Sequence, residues 1–599
     1  MNKTALFFLL FGFAFRGAAV AQDAALRGEF EFFTHLGATG KYELYWSFND
    51  SSSKISFAVR VQTTGWVGFG VSPFGGMNQA DVVIGWVNAT GGTTFHDRFA
   101  ATTELPEIDT SQDWELTEGI EDAGWTVLKF ERLYDTRDAE RDHRILRGTT
   151  RIIFSWNDTE PSPGSDPTYH GSNRGSQSIN FFGLLKENPA IPSNAINLTF
   201  LVDNVRVPSA DTTYWCTAFD GGAAIGDKVH HIIGYDAVVQ EHSSEQVHHI
   251  VLYHCEPEDF AGITVADVNQ PCSTIPTTAQ GCLSRTIIAA WAVGGLAFYY
   301  PNDVSYSLGG PGSSRYFLMQ MHYDNPRGLT EVVDSSGIKL VLTETPRLYD
   351  AGVLLIGQVL QGMLIPPQAT NYTLVAECPS DCTSRLFPPS GITFVASLLH
   401  THEAGRALVI RHFRDGSEVS PPVDINLNYD FDYQQVNIIP RRVVLPSDRL
   451  TLECYYDNVH NETIVGGEST QEEMCFGFIY YYPRLPLSGC FSTASRTAYE
   501  TFIGHHNPST QLEIFRNLSQ FGLNLRKFVD NYPWNQQQYK SFQDSLMNHQ
   551  NHFCRTPSVD ETGTSINLED LAGGGIFLCA DVLVMTLCAV FAVLSQCTA

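Results

Sequence analysis

Apolar residues alternate with polar ones along much of this chain, the period of a strand with one buried face. Tyr42, Leu44, Trp46 and Phe48 alternate with mostly polar neighbours. Ile55, Phe57, Val59 and Val61 repeat the pattern after the turn-forming stretch from Asn49 to Ser53, which predicts a β-hairpin. Short strands broken by Gly and Pro recur through the body and favour sandwiches over a parallel α/β sheet. Helical spacing is clearer only late, at Leu512, Phe515 and Leu518. The expected fold class is all-β.

Length and composition then set limits. A chain of 599 residues needs more than one core. A linker-like stretch, Glu187-Asn188-Pro189 to Ile191-Pro192-Ser193, closes a first domain over 22–190, and all ten body cysteines lie beyond it. A second boundary falls at Tyr349 to Gly352, giving domains over 191–350 and 351–530 and an extension over 531–572. The net charge of -28 argues against nucleic acid, which needs an excess of Lys and Arg, and mildly favours cationic amines.

Several features point to export. Lys3, the apolar run Ala5 to Ala14 and the small residues Ala19-Val20-Ala21 read as a signal peptide over 1–21. Glycosylation sequons stand at Asn49, Asn88, Asn157, Asn197, Asn371, Asn461 and Asn517. The thirteen cysteines suit an oxidising compartment. From Gly573 onward an apolar stretch broken by Asp581 is expected to attach the chain to a membrane. It reads as a single span or as a removed lipid-anchor signal with its attachment site near Gly563-Thr564-Ser565. The expected location is the secretory pathway, membrane-attached, with the body lumenal or extracellular, and a homodimer is an open assembly.

The chemistry lies in five histidines and a methionine. His400 and His402 follow the apolar run Ile392 to Leu399, so on a strand both project from one face and can converge on an ion. Met474 is a third candidate, beside Cys475; its soft thioether favours Cu(I). His248 and His249 are adjacent, which on a regular strand sends them to opposite faces, so joint ligation needs a bend or bulge. His230 and His231 form a second adjacent pair, and periodicity does not rank the two.

Five segments carry a resemblance. Thr212-Thr213-Tyr214-Trp215-Cys216, Val247-His248-His249-Ile250, Tyr316 to Tyr323 with His322, Leu399-His400-Thr401-His402 and Glu472-Glu473-Met474-Cys475 look like those of copper type II, ascorbate-dependent monooxygenases. Within that family the dopamine β-hydroxylase-like branch is the nearer, with Ala289-Ala290-Trp291 and Gly309 to Arg315 adding to the match. The N-terminal part resembles a DOMON β-sandwich through Gly65 to Gly70 and Ala80-Asp81-Val82-Val83. The resemblance implies a DOMON sandwich followed by two disulfide-linked, jelly-roll-like copper domains.

It also implies roles. His248, His249 and His322 would bind an electron-transfer copper; His400, His402 and Met474 would bind the copper at which dioxygen is activated. Two coppers would store the two electrons that hydroxylation needs, with ascorbate reloading them, and a small organic substrate, phenethylamine-like by extension, would be hydroxylated. Tyr214 is carried as a catalytic candidate, and Gln320 as a cofactor-site candidate with a structural reading about as good. His230 and His231 match no ligand position. The implied disulfides are Cys216–Cys272, Cys255–Cys282, Cys378–Cys490, Cys382–Cys554 and Cys454–Cys475, out of roughly a thousand pairings of ten cysteines.

Two positions depart from the pattern. Peptide-amidating relatives carry an arginine where this chain has Leu398, and a tyrosine where it has Phe478. Both changes remove polar grip and disfavour a C-terminal glycine peptide. Two other functions stay open: a non-catalytic, copper-binding cell-surface protein, and an electron-transfer protein holding haem in the DOMON domain between Met77 and His170. For that last pair a surface methionine and a loop histidine are the preferred reading.

Overall fold

A computed structural model describes residues 21–183, 191–506 and 521–555, apart from 38, 74, 226 and 488. The signal segment, Asn517, the helical spacing around Phe515 and the apolar C-terminal stretch lie outside the described residues. The chain divides into two compact units between Gly183 and Leu184.

The first unit is a two-sheet sandwich. One sheet runs in the order Phe32–Leu36, Tyr42–Asn49, Lys54–Val61, Trp125–Leu133, Glu115–Asp122; the other has Trp66–Val71 and Ala80–Val87 at its centre. The expected hairpin forms, with Tyr42 opposite Val61 and Asn49 opposite Lys54. The Asn49 side chain accepts from the Ser51 and Ser52 amides and fixes the turn. Tyr42, Leu44, Trp46, Ile55, Phe57 and Val59 form the core with Val67 and Phe69 of the facing sheet. Within this unit Arg132 and Asp81 make an ion pair at 2.6 Å, both side chains wholly buried. Asp97 and Asp142 stand beside Asp81, their oxygens within 4.8 Å of one another.

The second unit holds two further pairs of sheets. The first pair includes a five-stranded sheet ordered Asn269–Pro271, Thr212–Asp220, Tyr316–Asp324, Val247–His254, Thr286–Ala292. In the second pair a six-stranded sheet places Phe476–Tyr482 between Ile392–His400 and Gly352–Gln358. Five disulfides brace the unit: Cys216–Cys272, Cys255–Cys282, Cys378–Cys490, Cys382–Cys554 and Cys454–Cys475.

Two features go beyond the sequence-based outline. The sandwich pairs share a core, in which Val395, Tyr480 and Tyr482 of the second pack with Ile232, Tyr235 and Phe298 of the first. The Tyr235 and Tyr480 hydroxyls meet at 2.6 Å in its middle. In addition, residues assigned to a C-terminal extension complete the second sandwich. The strand Gln550–Arg555 pairs with Gly489–Ala494, and Phe542 and Leu546 of the helix Gln536–Asn548 enter its core.

Candidate metal centre

A bulge resolves the difficulty of the adjacent histidines. Val247–His254 pairs with Tyr316–Asp324, but the register jumps between Val247, opposite Tyr323, and His249, opposite His322. His248 is the extra residue, and a bulge re-aims its side chain. The Nδ1 of His249 then lies 3.4 Å from Nδ1 of His248 and 3.1 Å from Nδ1 of His322. Nitrogens about 2 Å from a shared ion would stand about this far apart.

Their surroundings favour ligation. His322 is fully buried and His248 nearly so. Burial holds His248 down to about 3, with the nearby His400 adding to it, and holds His249 and His322 well below the usual range. Three close imidazoles thus stay neutral, with lone pairs free for a cation. Tyr214, opposite His322 on the neighbouring strand, stacks on its ring at 4.7 Å and 11°. The Tyr214 hydroxyl donates to the Glu468 carbonyl, so this ring orients a histidine. Gln320 is buried, its amide nitrogen 4.0 Å from the Cys272 sulfur.

The second set sits at the end of a strand pair. Ile392–His400 runs against Phe476–Tyr482, with Leu398 opposite Phe478 and His400 opposite Phe476. Both strands end there, and beyond them the Glu473 carboxylate accepts from the main-chain amides of His402 and Met474. The two imidazoles are 5.3 Å apart, ring centre to ring centre. His400 Nδ1 donates to Gln434 Oε1 at 2.7 Å, and His402 Nδ1 donates to the Glu472 carbonyl at 2.9 Å. Those bonds put the proton on Nδ1 and leave Nε2 to face a ligand. The Nε2 of His402 is buried with no hydrogen-bond partner, which is what a metal ligand looks like without its ion.

Glu473 assembles this end of the site. Its wholly buried carboxylate accepts from the amides of His402 at 2.9 Å, Ala404 at 2.6 Å and Met474 at 3.2 Å. Burial pushes its acid up to about 8 despite those bonds. Tyr456 donates to the Met474 carbonyl at 2.6 Å, and Tyr429 donates to that of Thr401 at 2.8 Å. Nothing in the spacing of the sequence marks Glu473, Tyr429 or Gln434 as parts of a site; each acts on residues distant in the chain.

The two sets are neighbours. The rings of His249 and His400 are 6.1 Å apart, and Phe431 stacks on His248 at 4.1 Å while lying 5.9 Å from His402. By contrast, His230 and His231 belong to another sheet. His230 Nδ1 meets the Lys228 carbonyl, and His231 Nδ1 meets Ser305 and Ser307. In the first unit Met77 packs near Ala80, Val82 and Ala100, and His170 lies against Trp66.

Among the sequons, Asn49, Asn197, Asn371 and Asn461 are exposed, and Asn88 is half-buried. Asn157 is half-buried too, and its amide nitrogen donates to the Tyr169 carbonyl.

Comparison with known proteins matches three family descriptions. Residues 38–157 match the DOMON domain. Residues 198–330 match the N-terminal domain, and 349–503 the C-terminal domain, of copper type II ascorbate-dependent monooxygenases. Human DBH-like monooxygenase protein 1 is 34% identical over 523 residues, covering 85% of this chain and 83% of that protein. Bovine dopamine beta-hydroxylase is 32% identical over 495 residues, covering 82% and 79%.

Proposed function

We propose, for a chain that belongs to the copper type II, ascorbate-dependent monooxygenase family, that it hydroxylates a C–H bond of a small, largely apolar substrate. One copper would be held by His248, His249 and His322, and a second by His400, His402 and Met474. The observation that carries this is two converging, uncharged imidazole sets whose rings come within 6.1 Å of each other. Softness of the thioether suits the second site to Cu(I). Bound there, copper supplies one-electron redox chemistry and a site for dioxygen. Overall, one oxygen atom enters the C–H bond and the other leaves as water, with two protons and two electrons drawn from ascorbate.

The protein's own part is orientation. Gln434 and the Glu472 carbonyl keep Nε2 of His400 and His402 unprotonated and aimed. Tyr214 holds the His322 ring, and Glu473 binds the Met474 and His402 main chains together. Both ligand sets lie in one chain, so neither needs a residue from a second copy.

Substrate class follows from what lines the strand pair. Leu398 and Phe478 face each other across the ladder, next to the His400–Phe476 pair, so both departures from the peptide-amidating pattern lie side by side. That face is apolar and suits an aromatic or aliphatic body. Asp324, two residues beyond His322, and Glu403, next to His402, feel the charges of Asp211 and Asp432; burial and then Asp211 push Asp324 up to about 6. This negative field favours a cationic tail, and together the two features support a phenethylamine-like substrate.

The disulfides and exposed sequons support passage through the secretory pathway. Among the described residues no helix is long and apolar enough to cross a membrane, so attachment rests on the apolar stretch beyond Gly573. Haem in the first unit is a secondary reading, tested by a Soret band.

The experiment uses copper-loaded protein with ascorbate, a panel of phenethylamines and other small molecules, and ¹⁸O-labelled dioxygen. Label should enter product in the wild type. Met474→Ala should abolish incorporation yet keep copper at the three-histidine set. A wild type that binds two coppers and labels nothing across a broad panel would instead support a non-catalytic copper-binding protein.

A further inference from the structure

Four cysteines of the second sandwich pair meet in one place. Cys378 ends the strand Tyr372–Cys378, and Cys382 lies in the helix Ser380–Leu386 that follows. Cys490 and Cys554 sit on the neighbouring strands Gly489–Ala494 and Gln550–Arg555. The bonds are Cys378–Cys490 and Cys382–Cys554, and both run from the segment 378–386 to the sheet that carries Phe476–Tyr482. The sulfurs of Cys378, Cys382 and Cys490 all lie within 4.8 Å of one another, so Cys382 is close to both atoms of a bridge to which it does not belong. Cys490 and Cys554 are direct partners in the antiparallel ladder. Residues so placed have Cα atoms about 4.5–5.5 Å apart, inside the range that a disulfide spans. A second set of bonds, Cys378–Cys382 and Cys490–Cys554, is therefore within reach of the same backbone.

The four differ in access. Cys378, Cys382 and Cys490 are buried, whereas Cys554 is half-buried. The Arg385 guanidinium, paired with Asp381 at 3.3 Å, has a nitrogen 3.7 Å from the Cys554 sulfur. A cation at that place draws in a thiolate and favours it over the thiol. Bracing alone requires neither the crowding nor an accessible sulfur beside a cation.

We propose that these four cysteines form a disulfide switch that a small thiol of the glutathione class throws. The thiolate bonds to the Cys554 sulfur, and the electron pair of the Cys382–Cys554 bond passes to Cys382. Cys382 then attacks Cys378, and the pair of the Cys378–Cys490 bond passes to Cys490. Cys490 attacks Cys554 and expels the thiolate. Two disulfides stand before and after, nothing is oxidised or reduced overall, and the thiol is returned. The new bonds join strand to neighbouring strand and helix to preceding strand, so both covalent ties from the segment 378–386 to the far sheet are lost. The strand freed of its tie, Gly489–Ala494, borders Gly352–Gln358, and the Gln358 N–H donates to the Cys475 carbonyl next to Met474. Exchange thus loosens the part of the sheet on which Met474 is mounted.

The test uses the full chain carrying Cys554→Ser, which leaves one thiol in the cluster, at Cys382. The folded protein is incubated, blocked with N-ethylmaleimide in mildly acidic denaturant and mapped by mass spectrometry. Exchange should put label on Cys490 as well as Cys382, with a Cys378–Cys382 bond in the same sample. Label on Cys382 without any on Cys490 overturns the proposal. If this variant fails to fold, wild type held with a substoichiometric amount of reduced glutathione decides the matter. Peptides joined by Cys490–Cys554 should accumulate there, and a map with only the original pairs overturns the proposal. The converted wild type should also unfold at lower urea than the unconverted chain, and an equal midpoint overturns the loosening and with it the switch.

Discussion

At the scale of single residues, Glu473 shows how a site depends on groups that touch no ligand ion. One carboxylate satisfies three buried amides: those of His402 and Ala404, on either side of Glu403, and that of Met474. Glu473→Ala would leave those donors without acceptors in a buried place. A buried donor left unpaired costs about 1–3 kcal/mol, and water entering the vacated space recovers part of that. We expect a loss of about 2–4 kcal/mol in urea unfolding, with weaker copper binding at the set containing His402. Unchanged unfolding would mean that the amides find other partners.

At the scale of elements, the alternation of Tyr42 to Phe48 and Ile55 to Val61 was enough to place a hairpin, because a two-residue period leaves only one face to bury. The same period failed at His248, since a bulge adds a residue without any mark in composition. It also gave no hint of Gln434 or Glu473, whose partners are 34 and 71 residues away in sequence. Register carries a prediction here. Leu398 is buried and opposes Phe478, so Leu398→Arg places a guanidinium against an apolar neighbour. Its melting temperature should fall, and an N-acylglycine, whose carboxylate can pair with the arginine, should restore part of the loss. No restoration by that ligand, alongside a lowered melting temperature, would show that position 398 does not face the substrate.

At the scale of the whole molecule, the ligand sets depend on a core shared by two sandwiches, while the first unit carries a pH dependence of its own. Burial, and then the charge of Asp81, push Asp97 up to about 8 and Asp142 up to about 7. Both carboxyls therefore keep protons in the folded state that an unfolded aspartate gives up near pH 4. Their contribution to stability is complete below about pH 4 and is lost as the pH rises to about 8. In between, each such proton is worth about 1.4 kcal/mol per pH unit. Asp97→Asn mimics the protonated acid, and its amide oxygen can still accept from the Asp113 and Trp114 amides that now bond to Asp97. The difference in stability between variant and wild type should therefore move in favour of the variant from pH 5 to pH 8, followed as the melting temperature of the first unit. A difference that stays constant over that range would show that Asp97 is ionised in the folded protein, its charge compensated within the cluster around Arg132.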